Sequence, residues 1–364
     1  MKKFFSLIAA SALLVGALTG CVGTPVVYYT ECGCDHETHN HTQGTVVETE
    51  KETVTVPEVE VTEGALKTGL AIVTSLRDSK DGEKAAYDVT LAAVLVDDEG
   101  VIWDCAIDSI GTNVAFDATG AITTDLATTV LTKNELGDKY NMVLYGGAKY
   151  EWYVQAEAVA QFAIGKTVEE LKNGAVDETG KAPQGSDLAT TATIYIGGYV
   201  SAIEAAVANA THLGAQGGDE LRLASISSLG SSVSATADKA GTAQLDSDVV
   251  ALTVKDGVIT SCYLDSLQAK VNFDATGKIT TDLTAAVLTK NQKGADYGMV
   301  AWGGAKYEWF EQAASFASYV TGKTAAEVAG IAVNEKTAPT DADLATSVTI
   351  AIGGYMALVD KAMK

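Results

Sequence analysis

The chain contains one sequence twice, and this duplication constrains its fold more than any other feature. Val101 opens VIWDCAIDSIGTNVAFDATG and Val258 opens VITSCYLDSLQAKVNFDATG. Cys105 aligns with Cys262 in a register of 262 − 105 = 157 residues, which continues without a gap through the G-K-T triplet that closes each following helical pattern. A unit of roughly 150 residues is an ordinary domain rather than a solenoid repeat. We therefore predict two tandem homologous domains, residues 65–213 and 214–364.

The amino terminus predicts export. Lys2 and Lys3 precede an apolar run from Phe4 to Leu18, which is too short to span a bilayer as part of a folded protein. The following Leu18-Thr19-Gly20-Cys21 resembles the lipobox of bacterial lipoproteins, whose cysteine is lipidated. The resemblance implies a signal peptide over residues 1–21 and a mature protein held by acyl chains on Cys21 at the outer face of the cytoplasmic membrane.

Residues 22–64 are predicted to form a disordered tether. Positions 45–64 read TVVETEKETVTVPEVEVTEG, which alternates but is charged and lacks aromatic residues. Upstream lies a cluster of soft and imidazole ligands that suit zinc or copper, namely Cys32, Cys34, His36, His39 and His41. The C-x-C spacing is shorter than that of standard zinc modules, so the alternative is a flexible segment whose cysteines form disulfides.

Composition excludes some partners and permits a folded core. The formal net charge of −22 argues against nucleic acid and against direct adhesion to anionic lipid. The hydrophobic fraction of 47% with 20% charged residues is normal for globular chains. Both copies can therefore bury a core. Cys105 and Cys262 each lie in an apolar stretch, which is typical of a small buried hydrophobe.

Both copies predict the same elements, and together these indicate an α+β class with a small antiparallel sheet and packed helices in each domain. Strands are predicted at 87–96 and 249–254, and each is followed by a tight turn, at 98–100 and 255–257. The next strands run through Cys105 and Cys262 and end in turns at 116–120 and 273–277. Helices are predicted at 150–164 and 307–320.

The triplet G-K-T occurs in both copies but does not form a phosphate loop. Ala160 and Ala317 occupy the positions where the loop needs a glycine. Thr167 with Glu170, and Thr324 with Glu327, instead have the spacing of a capping box at the start of a second short helix. Since His212 is the only histidine in the two copies, a histidine-dependent hydrolytic site in both domains is also excluded.

The ends of the copies resemble the FMN-binding domain of exported flavoproteins and electron-transfer lipoproteins. A hairpin, an aromatic-rich helix, G-K-T-x-x-E and D-L-A-T-x-x-T occur in that order, as in the family, whose closing signature reads Asp-x-x-Ser/Thr-Gly-Ala-Thr. The resemblance places the signature on Asp187, Thr190 and Thr193, and on Asp343, Thr346 and Thr349. It implies that Thr193 and Thr349 carry FMN through a phosphodiester bond installed by a flavin transferase.

The signature departs from the family at one position. The family's glycine is replaced by Thr191 and Ser347, and a positive φ at this position would make a β-branched threonine costly. The alternative is that Asp187 and Asp343 only cap a turn, and that residues 193–196 and 349–352 form a strand before the last helix. The domain would then keep the fold and have lost the flavin.

Five further polar or aromatic residues recur in both copies as candidates for a pocket, although a tryptophan on a helical face is more often core. They are Lys133, Tyr140, Lys149, Trp152 and Gln155, with Lys290, Tyr297, Lys306, Trp309 and Gln312. The leading functional hypothesis is a membrane-anchored flavin protein that carries electrons from a membrane donor. A hydrolase or a transferase is the less favoured class. The alternatives are a surface lipoprotein that binds a small ligand, and a spacer.

Overall fold

The computed structural model describes residues 64–364, so Cys21 and the predicted Cys/His cluster lie outside the described residues. Within this range the chain forms seven strands, and all their pairings are antiparallel. The strands are β1 Ala65–Ser75, β2 Lys84–Val96, β3 Ile102–Ala115, β4 Thr211–Gln216, β5 Glu220–Ser228, β6 Gly241–Lys255 and β7 Val258–Phe273.

The described part of the chain also contains ten α-helices, five in each copy, so the predicted α+β class is confirmed. They are α1 Lys133–Leu136, α2 Met142–Gly146, α3 Trp152–Ala163, α4 Val168–Ala175 and α5 Gly197–Ala208, then α6 Lys290–Lys293, α7 Trp309–Val320, α8 Ala325–Ala329, α9 Ala342–Ala345 and α10 Gly353–Ala362. Three short 3₁₀ turns cover Gly137–Tyr140, Leu188–Thr190 and Gly294–Tyr297. No helix in residues 64–364 is long and apolar enough to cross a membrane.

Each copy builds one sheet from a three-strand meander. The first sheet has the order β3-β2-β1-β4 and the second has the order β5-β6-β7. The predicted turn between β6 and β7 is present, with Asp256 at φ 52° and Gly257 at φ 79°. Two positive φ values in a row fit the right-handed twist of the flanking strands, which explains the Asp-Gly pair. β4 has no counterpart in the second sheet, and it spans the predicted boundary at residues 213 and 214.

The two sheets enclose a hydrophobic core to which both copies contribute. Leu91 and Ile110 of the first copy and Leu245 and Val271 of the second belong to one buried cluster. Phe116 and Phe273 occupy equivalent positions, and their rings stack with centroids 4.0 Å apart. Two further cores, one per copy, lie between each sheet and its own helices. The copies are therefore joined by a shared interior.

The repeated Asp-Ala-Thr-Gly turns, residues 117–120 and 274–277, pack directly against each other. A Cβ atom at Gly120 would lie 2.8 Å from the Asp274 carbonyl oxygen, and one at Gly277 would lie 2.5 Å from the Asp117 carbonyl oxygen. Both glycines also have positive φ. Since only glycine meets both demands without strain, the contact explains why the turn is the same in both copies.

The helices begin and end close to where the sequence predicts. The predicted helices at 150–164 and 307–320 are α3 and α7. Both capping boxes are present. The Thr167 and Thr324 hydroxyls accept from the Glu170 and Glu327 amides, and each glutamate carboxylate accepts from the backbone amide of its threonine. Cys105 and Cys262 are buried and unbonded to each other.

The alternative in which residues 193–196 and 349–352 form strands is wrong. Neither segment joins a sheet, because its backbone amides donate elsewhere. The Thr193 and Ile194 amides donate to the Gln155 side chain, and the Ile196 amide donates to the Gly180 carbonyl. The segment therefore runs as an irregular turn into the helix that follows.

Candidate functional site

The candidate site in each copy is built on a buried glutamine in the first turns of the aromatic-rich helix. Gln155 of α3 and Gln312 of α7 are both fully buried. The side-chain amide of Gln155 donates to the Tyr150 carbonyl at 2.8 Å, and that of Gln312 donates to the Tyr307 carbonyl at 2.9 Å. These bonds fix the orientation of each amide, so the Oε1 atom points toward the signature loop.

The signature threonines bind that oxygen. Thr193 donates to Gln155 Oε1 from its backbone amide at 2.9 Å and from its hydroxyl at 3.1 Å. Thr349 makes the same bonds to Gln312 Oε1, at 2.8 Å and 3.1 Å. Both threonines are exposed. Because the hydroxyl hydrogen points to a buried acceptor, this bond leaves the lone pairs of the hydroxyl oxygen unused.

The other signature residues shape the loop. The hydroxyls of Thr190 and Thr346 donate hydrogen bonds to the backbone carbonyls three residues earlier. The acceptors are the carbonyls of Asp187 at 2.7 Å and Asp343 at 3.1 Å. Asp187 and Asp343 are exposed; Asp187 stands at the N-cap of a 3₁₀ turn without a side-chain cap bond, and Asp343 lies in the first turn of α9. Asp341 caps α9 in the second copy, accepting from the Asp343 and Leu344 amides.

The residue at the family's glycine position is unstrained. Thr191 has φ −116° and ψ −52°, within the right-handed region that any residue adopts. Ser347 likewise has no positive φ. Replacement of the glycine therefore costs the backbone nothing in either copy.

The repeated lysines and aromatics form a second cluster beside the first. Lys133 lies over the Tyr140 and Trp152 rings, with Nζ to centroid distances of 5.3 and 5.2 Å, and Lys290 lies over Tyr297 and Trp309 at 5.2 and 4.9 Å. Trp152 and Trp309 are buried. Their indole nitrogens donate to Tyr199 at 2.8 Å and to Tyr355 at 3.0 Å. The two tryptophans therefore belong to the hydrophobic core and do not form a stacking surface for a cofactor. In each copy the lysine already makes the cation–π contact with the tyrosine and tryptophan rings.

Burial shifts several pKa values in the second copy. Burial lowers the pKa of Lys290, opposed chiefly by the charge of Asp248, and it raises the pKa of Asp248 against a hydrogen bond from Ser266. Burial also raises the pKa of Asp265 to about 6, although the Thr289 hydroxyl and the Asn291 and Ser266 amides bond to it. Asp108 is its equivalent in the first copy, and its pKa is raised for the same reason.

Lys149 and Lys306 lie beside the signature loop and the adjacent ring. Lys149 Nζ donates to the Thr190 carbonyl at 3.1 Å, which ties the G-G-A-K-Y segment to the signature. Lys306 lies over the Tyr307 ring at 5.0 Å. The repeated Lys-Tyr-Glu-Trp also contains Glu151 and Glu308, which sequence reasoning did not select. Their carboxylates accept from two backbone amides of the preceding loop, such as Met142 at 2.8 Å and Met299 at 2.9 Å.

The first copy has a groove beside Tyr195, which lies two residues after Thr193. A groove of about 570 Å³ is lined by Tyr195, Gly197 and Gly198, with Lys172 and Asp177 at its rim. The Tyr195 side chain is 63% exposed.

The ring of Tyr195 takes the space above Gly180, where a Cβ atom would lie 2.2 Å from it. In the second copy Ala351 replaces Tyr195, and Thr337 occupies the position of Gly180. The two positions therefore have complementary sizes: the large tyrosine goes with a glycine in the first copy, and the small alanine goes with a threonine in the second.

Among residues 64–364, no group of three or more histidine, cysteine, aspartate or glutamate side chains is arranged to hold a metal ion. Comparison with protein-family models, curated proteins and solved structures finds no match to this chain.

Proposed function

We propose that this protein is an extracytoplasmic FMN carrier, held at the outer face of the membrane through Cys21, in which Thr193 and Thr349 are the attachment residues. One observation carries the proposal: both copies present an exposed threonine whose hydroxyl and amide donate to the same oxygen of a buried glutamine. An exposed threonine with the same hydrogen bonds in both copies supports a shared role for this residue beyond packing in the core. FMN supplies one- and two-electron transfer when it is bound.

The residues present fit the group. Both threonine residues are exposed, and the loop around them has no strained residue at the glycine position. Attachment would form a bond from the threonine oxygen to the FMN phosphorus of a flavin adenine dinucleotide donor. The bond to AMP breaks, AMP leaves and the hydroxyl proton passes to solvent. A flavin transferase supplies the catalytic groups, and a membrane electron donor is the expected partner.

Site variants test this proposal. The full-length protein is co-produced with a flavin transferase, denatured, and run on a gel viewed for flavin fluorescence. We expect a fluorescent band that weakens in Thr193→Ala and in Thr349→Ala and disappears in the double variant. Thr119→Ala and Thr276→Ala are matched controls, because these exposed threonines are equivalent in the two copies and lie outside the signature. Fluorescence that survives in the double variant would reject these sites.

A second candidate is a module that binds a small ligand without a covalent bond. The groove beside Tyr195 favours it, since about 570 Å³ is within the usual range of small-molecule sites. Ligand-dependent melting of a colourless protein, reduced by Tyr195→Ala, would support this function. A spacer is less well supported, because the copies share a core and their duplication adds little reach.

A further inference from the structure

The two copies differ at the second residue after the signature threonine. The first copy has Tyr195 at this position, and the second has Ala351. The backbone that carries these residues is equivalent, because the isoleucine that follows each of them donates its amide to a matching carbonyl. These bonds run from Ile196 to Gly180 at 2.9 Å and from Ile352 to Thr337 at 2.8 Å. An aromatic ring therefore stands in the first copy where the second has a methyl group.

The Tyr195 ring is covered on one side and open on the other. The Gly180 backbone packs against it so closely that a Cβ atom there would lie 2.2 Å from the ring. The ring also contacts Gly197 at the start of α5, where a Cβ atom would lie 3.5 Å from it. Tyr195 is nevertheless 63% exposed. Since Tyr195 lines the groove of about 570 Å³, the open side of its ring forms a wall of that groove.

The second copy fills part of this space with Thr337. Thr337 has φ 59°, in the left-handed region where a β-branched residue is costly, whereas Gly180 has φ 78° and adopts this region freely. The Thr337 side chain packs on Gly353, where a Cβ atom would lie 3.0 Å from it. Gly353 begins α10 as Gly197 begins α5. The threonine thus rests on the glycine that corresponds to the one beneath the tyrosine ring.

The groove lies within reach of a flavin attached to Thr193. Two residues of chain span at most about 7 Å, so the Cα atoms of Thr193 and Tyr195 are no farther apart than that. In FMN the ribityl chain between the phosphate and the isoalloxazine ring is about as long. The oxidised ring is flat, aromatic and uncharged, and such rings stack on tyrosine.

The charges at the rim favour the ring over the phosphate as the occupant. The rim carries Lys172, Asp177 and Glu178. Lys172 is already paired with Glu204 at 2.8 Å, so the rim is acidic on balance. Carboxylates repel a phosphate group and tolerate an uncharged ring. The volume of the groove is within the range of small-molecule sites.

We propose that the isoalloxazine ring of the FMN on Thr193 lies in this groove and stacks on Tyr195, whereas Ala351 offers no ring to the FMN on Thr349. This inference rests on the proposed attachment of FMN to both threonines. The two flavins of one chain are then inequivalent, because the flavin of the first copy is held against an aromatic wall that the second copy lacks.

The test uses full-length proteins that carry one flavin each, produced with a flavin transferase and checked by intact mass. Thr349→Ala leaves FMN on Thr193, and Thr193→Ala leaves it on Thr349. A tyrosine in contact with a flavin ring quenches the flavin fluorescence. We expect unfolding in urea to raise this fluorescence severalfold in the Thr349→Ala protein and to change it little in the Thr193→Ala protein.

Three further variants identify the quenching group. Tyr195→Ala, made in the Thr349→Ala protein, should abolish the rise on unfolding. Tyr145→Ala is the matched control and should keep the rise, because Tyr145 is also exposed, at 82%, but lies in α2 and does not line the groove. Thr337→Gly with Ala351→Tyr, made in the Thr193→Ala protein, should create quenching in the second copy. This variant relieves the positive φ at residue 337, so we expect it to fold.

The failure of this inference is distinct from the failure of attachment. An equal rise in the two single-flavin proteins, or a rise that survives Tyr195→Ala, would overturn the stacking while leaving the attachment sites intact. If the wild-type chain carries no FMN, the attachment is rejected and the groove is tested with free FMN. Saturable quenching that Tyr195→Ala removes would then support the groove as the site of the ring. No saturable quenching up to millimolar FMN would overturn it.

Discussion

Gln155 and Gln312 each organise one signature loop through a single oxygen atom. Each Oε1 accepts from a threonine hydroxyl and from two successive amides, those of Thr193 and Ile194 or of Thr349 and Ile350. Loss of that oxygen leaves three donors to find water in a half-buried loop. Donors deprived of a buried partner typically cost about 1–3 kcal/mol each.

We therefore expect Gln155→Ala to lower the free energy of unfolding by about 2–4 kcal/mol, since the lost bonds and the lost packing add. Urea denaturation measures the change. Gln161→Ala is the control on the same helix, because Gln161 is exposed and bonds only to Glu157. A loss as small as that of the control would mean that the glutamine does not hold the loop.

Asp265 makes stability depend on pH in an uncommon direction. Burial raises its pKa in the folded protein to about 6, above its ordinary value of 3.8. The folded state therefore binds the proton more tightly than the unfolded state. The stability that this group contributes is complete below about pH 4 and is lost as pH rises to about 6.

Asp265→Asn should remove this dependence. Between pH 4 and pH 6, the wild-type protein should lose up to about 3 kcal/mol of unfolding free energy relative to the variant. Urea denaturation of both proteins at pH 4, 5, 6 and 7 measures the difference, and other titrating groups cancel because both proteins contain them. A difference that is constant with pH would show that Asp265 has an ordinary pKa.

At the scale of elements, local sequence determines where the short helices start. The capping boxes at Thr167 and Thr324 were predictable because the spacing of threonine and glutamate alone defines them. Strands β2, β3, β6 and β7 and the helices α3 and α7 were predicted from their residue patterns, whereas β1, β4 and β5 were not. Residues 193–196 were mistaken for a strand because their β-branched and aromatic residues favour one, while the glutamine that takes their amides is 38 residues away.

We expect Thr167→Ala to destabilise the protein by about 1 kcal/mol, because the Glu170 amide loses its acceptor at the start of α4. Thr167→Ser keeps the hydroxyl and should stay within a few tenths of wild type. Thermal unfolding of the three proteins distinguishes these cases. An equal loss in the serine and alanine variants would mean that the methyl group matters rather than the cap.

At the scale of the whole molecule, the duplication produces one structure with a shared interior. The sequence predicted two similar units but contained no signal for how they meet, because contacts such as that of Phe116 with Phe273 join positions 273 − 116 = 157 residues apart. The candidate site shows the same limit. Its threonines were selected by the resemblance to the flavin signature and its glutamines because they recur, whereas the bonds between them required the packed structure.

The stacked pair Phe116 and Phe273 tests the shared core. Each single alanine variant should cost about 3–5 kcal/mol. The double variant should cost less than the sum by about 0.5–1.5 kcal/mol, which is the energy of an aromatic pair. Wild-type unfolding should be a single transition by circular dichroism and by tryptophan fluorescence. Two separate transitions with additive losses would mean that the copies fold independently.

The most direct test of the central claim is the intact mass of the wild-type protein co-produced with a flavin transferase. Because the two threonines make the same bonds and are both exposed, we predict an added mass of two FMN groups per chain. A known domain with the Ser-Gly-Ala-Thr signature, produced in parallel, establishes that the transferase is active. An unmodified chain beside a fully labelled control would contradict the account.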